Sequence, residues 1–365
     1  MMQPFPEPKT FIPAILPYPP GKPIEDVQRE YGLDSVIKLA SNENPLGPSP
    51  KAVKAMAKVA GEMHLYPDGA GFYLKQALAR KHGVKPEQIC LANGSDEITD
   101  LIAIAYIEPS HNVVVSQYDF ISYRLAAMMV GAEVREAPLR SDWRADVRAL
   151  LEKVDANTRL VCIANPSNPI GTMVKRAELT EFLNKVPPTT LVLIDEAYCD
   201  YAQDKAYPNG LTYLKKHPNL IVTRTFSKAY GMAGLRIGAG FAHPEIVKNF
   251  DRVRAPFNTS RMAQAAAVAA LDDTAHLKRA VETNEKGRAL LETAFKKMGL
   301  DYVPSQTNFL LIEVGYGAEI TEALMRLGVI VRPMGGYGLP NHIRVTIGTP
   351  AENRRFLAAL KCVMA

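Results

Sequence analysis

Short apolar runs separated by stretches of helical periodicity dominate the middle of this 365-residue chain. Residues 89–92, 113–116, 159–164, 191–195, 220–225 and 237–241 are apolar at successive positions, the pattern of strands buried on both faces. Between them, residues 72–82, 96–107 and 121–130 carry apolar positions at helical spacing. Strands of that kind alternating with helices predict an α/β fold, a mostly parallel sheet wrapped by helices. The ends of the chain differ. Residues 1 to about 35 are too rich in proline for a long helix before Ile24, and predict an extended arm and then a short helix over 24–31 closed by Gly32. Near Asn258 the texture changes. An alanine-rich helical region over 260–298 is followed by a strand (308–314), a helix (318–327), two strands (329–332 and 343–347) and a terminal helix (351–363). The expected organisation is an arm over 1–40, a large domain over 41–260 and a small α+β domain over 261–365.

Composition adds little that is specific. The chain is long enough for two domains, and 47% hydrophobic with 22% charged residues is ordinary for a globular protein. The net charge of +5 is modest, and no basic run is interleaved with aromatics, so nucleic acid is not expected as a partner. Cys90, Cys162, Cys199 and Cys362 are widely spaced with no CxxC pair, which reads as reduced thiols. The histidines show no metal-ligand spacing. No segment reaches the roughly 18 to 20 apolar residues of a membrane helix, so no membrane partner and a cytoplasmic location are expected.

The candidate chemistry sits at strand ends. After the apolar run 219–222 comes Thr225-Phe226-Ser227-Lys228-Ala229-Tyr230-Gly231, with Arg236 eight residues beyond Lys228. A lysine among hydroxyls and glycines suits a Schiff base, and Thr225, Ser227 and Arg236 suit a clamp on a cofactor phosphate. The buried run 191–195 ends in Asp195, as the partner of a pyridinium nitrogen should. Lysine, aspartate and arginine together point to pyridoxal 5'-phosphate. Asn93-Gly94-Ser95-Asp96 follows another strand and opens a helix, with Ser95 a plausible N-cap and the amides of Gly94, Ser95 and Asp96 a ready anion site. Asn165-Pro166-Ser167-Asn168-Pro169-Ile170-Gly171 fixes a rigid turn that aims the Asn168 amide at the end of the sheet. Arg344 lies inside an apolar strand, where a charge needs a partner, and a substrate carboxylate is a bidentate one.

These motifs resemble the fold-type I pyridoxal-phosphate aminotransferases, and most nearly their histidinol-phosphate branch, from Tyr18 to the C-terminal helix. The resemblance implies a mostly parallel seven-stranded sheet and a homodimer whose arms pack against the partner. It implies that Asn168 and Tyr198 hold the cofactor's phenolic oxygen and that Phe120 covers its ring. It further implies that Tyr66 reaches across the dimer to the cofactor phosphate. Arg344 would bind substrate carboxylate, Arg332 and Tyr18 substrate phosphate, and Asn44 belongs to the substrate loop Ser41–Gly47. The implied reaction is ping-pong amino transfer, with glutamate and imidazole acetol phosphate giving 2-oxoglutarate and histidinol phosphate in histidine biosynthesis. An aromatic or dual-specificity aminotransferase is the nearer alternative, and an O-phospho amino acid decarboxylase the more distant one. Two segments depart from the pattern, 332–340 and the Ser-Gln-Tyr-Asp-Phe of 116–120, and both bear on substrate choice.

Overall fold

The computed structural model describes residues 6–17 and 21–365. At its centre is a seven-stranded sheet in the order Ile89–Ala92, Gly238–Phe241, Leu220–Thr225, Leu191–Asp195, Thr158–Ala164, Asn112–Ser116, Glu133–Ala137. Neighbouring strands are parallel except where Gly238–Phe241 runs antiparallel to both of its partners. Every residue of Asn112–Ser116 and Leu191–Asp195 is buried, which is why these strands read as unbroken apolar runs. Glu133–Ala137 gave no such signal. It is an edge strand whose charged residues stay in water, and only Ala137 is buried.

A second, four-stranded antiparallel sheet runs in the order Arg332–Pro333, His342–Thr346, Phe309–Glu313, Tyr302–Val303. Its core joins Leu310, Ile312, Ile343 and Val345 to Phe295, Phe356 and Leu360 of the helices behind it. The N-terminal segment is bound to this unit. Ile37–Lys38 pairs in parallel with Val329–Ile330, and Leu39 N–H donates to the Ile330 carbonyl at 2.7 Å. Helix Ile24–Tyr31 forms as expected and stops at Gly32, whose φ of 65° suits glycine.

Two expectations are corrected. The helical region 260–298 is two helices, Arg261–Leu271 and Thr274–Met298. Asp273 separates them: one carboxylate oxygen caps the second helix by accepting from His276 N–H, and the other accepts from Ser49 Oγ at 2.6 Å. The strand 329–332 is also divided. Its first half pairs with the N-terminal segment, while Arg332–Pro333 turns to pair with His342–Thr346 in the other sheet. No helix among the described residues is long and apolar enough to cross a membrane.

Candidate active site

The parallel strands end along one edge of the central sheet, where Ala164, Asp195 and Thr223 are register neighbours and Thr225 faces Gly238. A cleft of about 320 Å³ opens there, between the sheet edge, the small unit and the N-terminal segment. Asp195 lines it from the floor. Its Oδ1 accepts from Thr223 Oγ1 at 2.9 Å and from the Ala197 N–H at 3.0 Å, and Oδ2 accepts from Tyr123 Oη at 2.8 Å. Burial pushes the Asp195 carboxyl above its ordinary range, and these donors pull it back toward the charged form.

Lys228 lies across the floor from Asp195, half-buried, with Nζ 3.3 Å from the Ser41 carbonyl and 5.6 Å from the centre of the Tyr198 ring. Burial, reinforced by the positive charge of Arg344, lowers its ammonium from 10.5 to about 8. The amine is therefore far easier to deprotonate than that of a surface lysine.

One end of the floor is a cup of donors. Thr225 Oγ1 donates to Ser227 Oγ at 3.0 Å, and Arg236 Nη1 reaches Ser227 Oγ at 3.3 Å. A Cβ on Gly94 would stand 2.2 Å from Arg236 Nη2, so glycine lets the 94–96 loop touch the guanidinium. Gly238 works in the same way, since a Cβ there would meet Ser95 N at 2.6 Å. The expected N-cap hydrogen bond of Ser95 is not made. Ser95 has helical dihedrals and no side-chain capping bond, and it lines the cleft with Asp96 instead. Asp96 is raised to about 6 by burial and by Asp195.

The opposite wall is assembled from distant segments. Arg344 Nη1 donates to Asn168 Oδ1 at 2.6 Å and Nη2 to the Ala40 carbonyl at 2.9 Å, with the guanidinium 5.2 Å from the Phe309 ring centre. Because Asn168 spends its oxygen on Arg344, its NH2 is the group left for the cleft. Asn42 Nδ2 donates to Tyr198 Oη at 2.9 Å, which leaves the tyrosine proton available as a donor. Burial pushes Tyr198 up to about 12. Phe120 and Arg332 also line the cleft, and Gly21 of the arm lies beside Arg332 at its rim.

Two expected residues lie elsewhere among the described residues. Asn44 does not line the cleft. It fastens its loop, donating to the Ala229 carbonyl at 2.9 Å and accepting from Leu46 N–H. Tyr66 is 77% exposed and stacks on Phe257 at 4.7 Å, in a separate groove that meets the cleft only at Arg236. Tyr18 lies outside the described residues. In turn, Asn42, Thr223 and Tyr123 escaped the site prediction. Asn42 carries a signal, a polar residue able to hold a φ of 56° in an Asn-rich loop. Thr223 lies 28 residues from Asp195 in the chain and is brought opposite it by strand register. Glu196 points to the other side of the sheet, fully buried, where Arg224 Nη2 meets it at 2.6 Å and Gly210 N–H donates to it.

A largely parallel sheet with a buried acid, a depressed lysine and an arginine-hydroxyl cup at its strand ends defines a transferase of fold type I. The chain belongs to the aminotransferase class I and II family, which matches residues 34–360. It is 48% identical to histidinol-phosphate aminotransferase 1 of Nitrosococcus oceani, across 97% of this chain and 95% of that protein. Identity is also 48% to histidinol-phosphate aminotransferase 2 of Pseudomonas fluorescens, across 97% and 96%. Among solved structures, the histidinol-phosphate aminotransferase of Sinorhizobium meliloti in complex with pyridoxal-5'-phosphate superposes with a TM-score of 0.90. It is 33% identical and covers 100% of this chain and 99% of its own.

Proposed function

We propose that this chain uses pyridoxal phosphate to move the amino group of glutamate onto imidazole acetol phosphate, giving 2-oxoglutarate and histidinol phosphate. The observation that carries the substrate reading is a pair of arginines. Arg332 and Arg344 are directly opposed on adjacent strands, and both line the cleft that holds Lys228. A guanidinium presents a fork of donors that matches carboxylate and phosphate oxygens. Glutamate brings two carboxylates, and a phosphate monoester carries about −1.5 to −2 charge at neutral pH. One arginine pair can receive each substrate in turn.

The residues fit the cofactor. The Gly94 cradle, Thr225, Ser227 and Arg236 suit its phosphate, with the N–H groups of Ser95 and Asp96 opening a helix toward it. Asp195 suits its ring nitrogen, Phe120 its face, and the Asn168 amide with Tyr198 its phenolic oxygen. When bound, pyridoxal phosphate supplies an electrophilic carbon for amines and a ring that accepts the electron pair left as substrate Cα loses its proton. Lys228 would hold the group through its amine, whose neutral form burial favours. The same Nζ would be the base for the substrate Cα proton and the acid that returns it. Arg344 and Arg332 orient the acid groups so that this proton faces Nζ. Tyr18 of the arm and the loop of Asn44 complete the substrate side.

The site is completed by a second copy of the chain. Tyr66, Phe72 and Tyr73 are 77%, 57% and 77% exposed, and the Tyr66 groove opens at Arg236, so a partner's Tyr66 can approach the phosphate cup. Sedimentation that finds only monomers at micromolar concentration would end that part of the reading. A cytoplasmic setting suits the four unpaired thiols.

The deciding experiment follows the cofactor's visible absorbance through one turnover with histidinol phosphate, then phenylalanine and tyrosine. Conversion by histidinol phosphate at far lower concentration is expected. Equal or better conversion by the aromatic amino acids would move the assignment to an aromatic aminotransferase, and release of carbon dioxide to a decarboxylase.

A further inference from the structure

Helix Ile121–Met129 begins immediately after Phe120 and buries Tyr123 behind it, 2% exposed. Tyr123 meets two parts of the site. Its ring lies edge-on to Phe120, with centres 5.8 Å apart and planes at 82°, and its phenol donates to Asp195 Oδ2 at 2.8 Å. An ionised carboxylate has about four lone-pair positions. Three are taken by Tyr123, Thr223 and the Ala197 N–H, which leaves one for the cleft that Asp195 lines. We propose that Tyr123 is a positioning residue for the reaction. Its phenol fixes the Asp195 carboxylate in its charged form, with the last lone pair presented to the cofactor's ring nitrogen.

The inference rests on the pyridoxal-phosphate reading above and extends it to a residue that never touches the cofactor. Thr223 and Ala197 belong to the sheet and its turn, so they hold Asp195 only to its own scaffold. Tyr123 alone ties the acid to the helix that follows the ring-covering Phe120. Burial, together with Asp195 and Asp119 nearby, keeps the phenol well above its usual range, so it stays a donor at any physiological pH. Asp119 cannot substitute for the acid. It is buried, raised to about 7, and its Oδ1 is occupied by the Phe120 N–H at 2.9 Å. Removing the Tyr123 hydroxyl leaves desolvation of Asp195 less opposed, and a protonated Asp195 cannot pair with a protonated ring nitrogen.

Tyr123→Phe keeps the ring and its packing. We would titrate cofactor-free wild type and variant calorimetrically with pyridoxal phosphate and with its 1-deaza analogue, in which CH replaces the ring nitrogen. The variant should bind pyridoxal phosphate about 10- to 100-fold more weakly, the range for a hydrogen bond to a charged group, and the analogue as wild type does. The ¹⁵N resonance of the bound cofactor's ring nitrogen should move toward its neutral position. A second probe, 3-fluorotyrosine at position 123, strengthens the donor at nearly constant size and should tighten pyridoxal phosphate binding only. Equal losses for both ligands, or no loss, would overturn the role of Tyr123 and leave the cofactor reading intact. A wild-type protein that binds neither ligand would overturn both.

Discussion

The floor and the wall of the cleft are built differently. The floor is made of consecutive strand ends, with Asp195, Thr225 and Lys228 arriving in chain order on adjacent parallel strands and their following turns. The wall is made of contacts across the fold: Asn42 reaches Tyr198 over 156 residues of sequence, and Arg344 reaches Ala40 over 304. Each floor residue sits in a contiguous motif whose chemistry is common to many transferases. The wall carries the opposed Arg332 and Arg344 and the N-terminal loop residues that line the cleft. Local order suffices to bring the floor together, whereas the wall exists only because the second sheet and the N-terminal segment pack beside it.

If the floor supplies the chemistry, Lys228→Ala should abolish it. Single-turnover transfer should fall by at least about 10³-fold while the protein stays folded, in line with loss of a positioned acid–base group. A variant within tenfold of wild type would remove Lys228 from the mechanism. Behind the floor, Glu196→Ala should cost about 3 kcal/mol of stability, the low end for breaking a buried pair, because Arg224 is left partly buried without its carboxylate. Chemical denaturation measures this, and a change below 1 kcal/mol would show that the pair is dispensable.

The wall should fail selectively. Arg332→Ala is expected to raise KM for histidinol phosphate about 100-fold, the scale for truncating one partner of a buried charge contact, with little change for phenylalanine. Equal effects on both substrates would put Arg332 outside the phosphate site. The two regions also speak to each other electrically. Since burial and then Arg344 depress Lys228 to about 8, its amine loses its proton well below the ordinary 10.5. In the cofactor-free protein the rate of Lys228 modification should therefore rise with pH through about 8 and level off above it. Arg344→Ala should shift that midpoint upward, and an unchanged midpoint would break the coupling. The smallest effect belongs to Asn42→Ala, which deletes a neutral hydrogen bond to Tyr198 and should slow transfer by a few-fold, worth about 1 kcal/mol.

How much could be read in advance follows the same division. The unbroken apolar runs 113–116 and 191–195 announced buried strands, and the motifs around Lys228 and Asp195 announced the floor, because strand, turn and side chain are adjacent in the chain. Glu133–Ala137 was missed because an edge strand needs no apolar face, and the helix 260–298 was overextended because Asp273 looks like any polar helix residue until Ser49 is beside it. Asn44 and Asn42 stand two positions apart in one loop, and only the backbone path decides that Asn42 enters the cleft while Asn44 anchors the turn.

By itself, the sequence determined the α/β class and the strand ends, and it set Asp195, Lys228 and the Thr225–Ser227–Arg236 cluster beside them, since these follow from local periodicity and short-range motif geometry. The tertiary structure decided which donors surround Asp195, which loop asparagine reaches Tyr198, and that Arg332 and Arg344 face one another. Those choices depend on strand register and on packing between segments hundreds of residues apart, which no local pattern encodes.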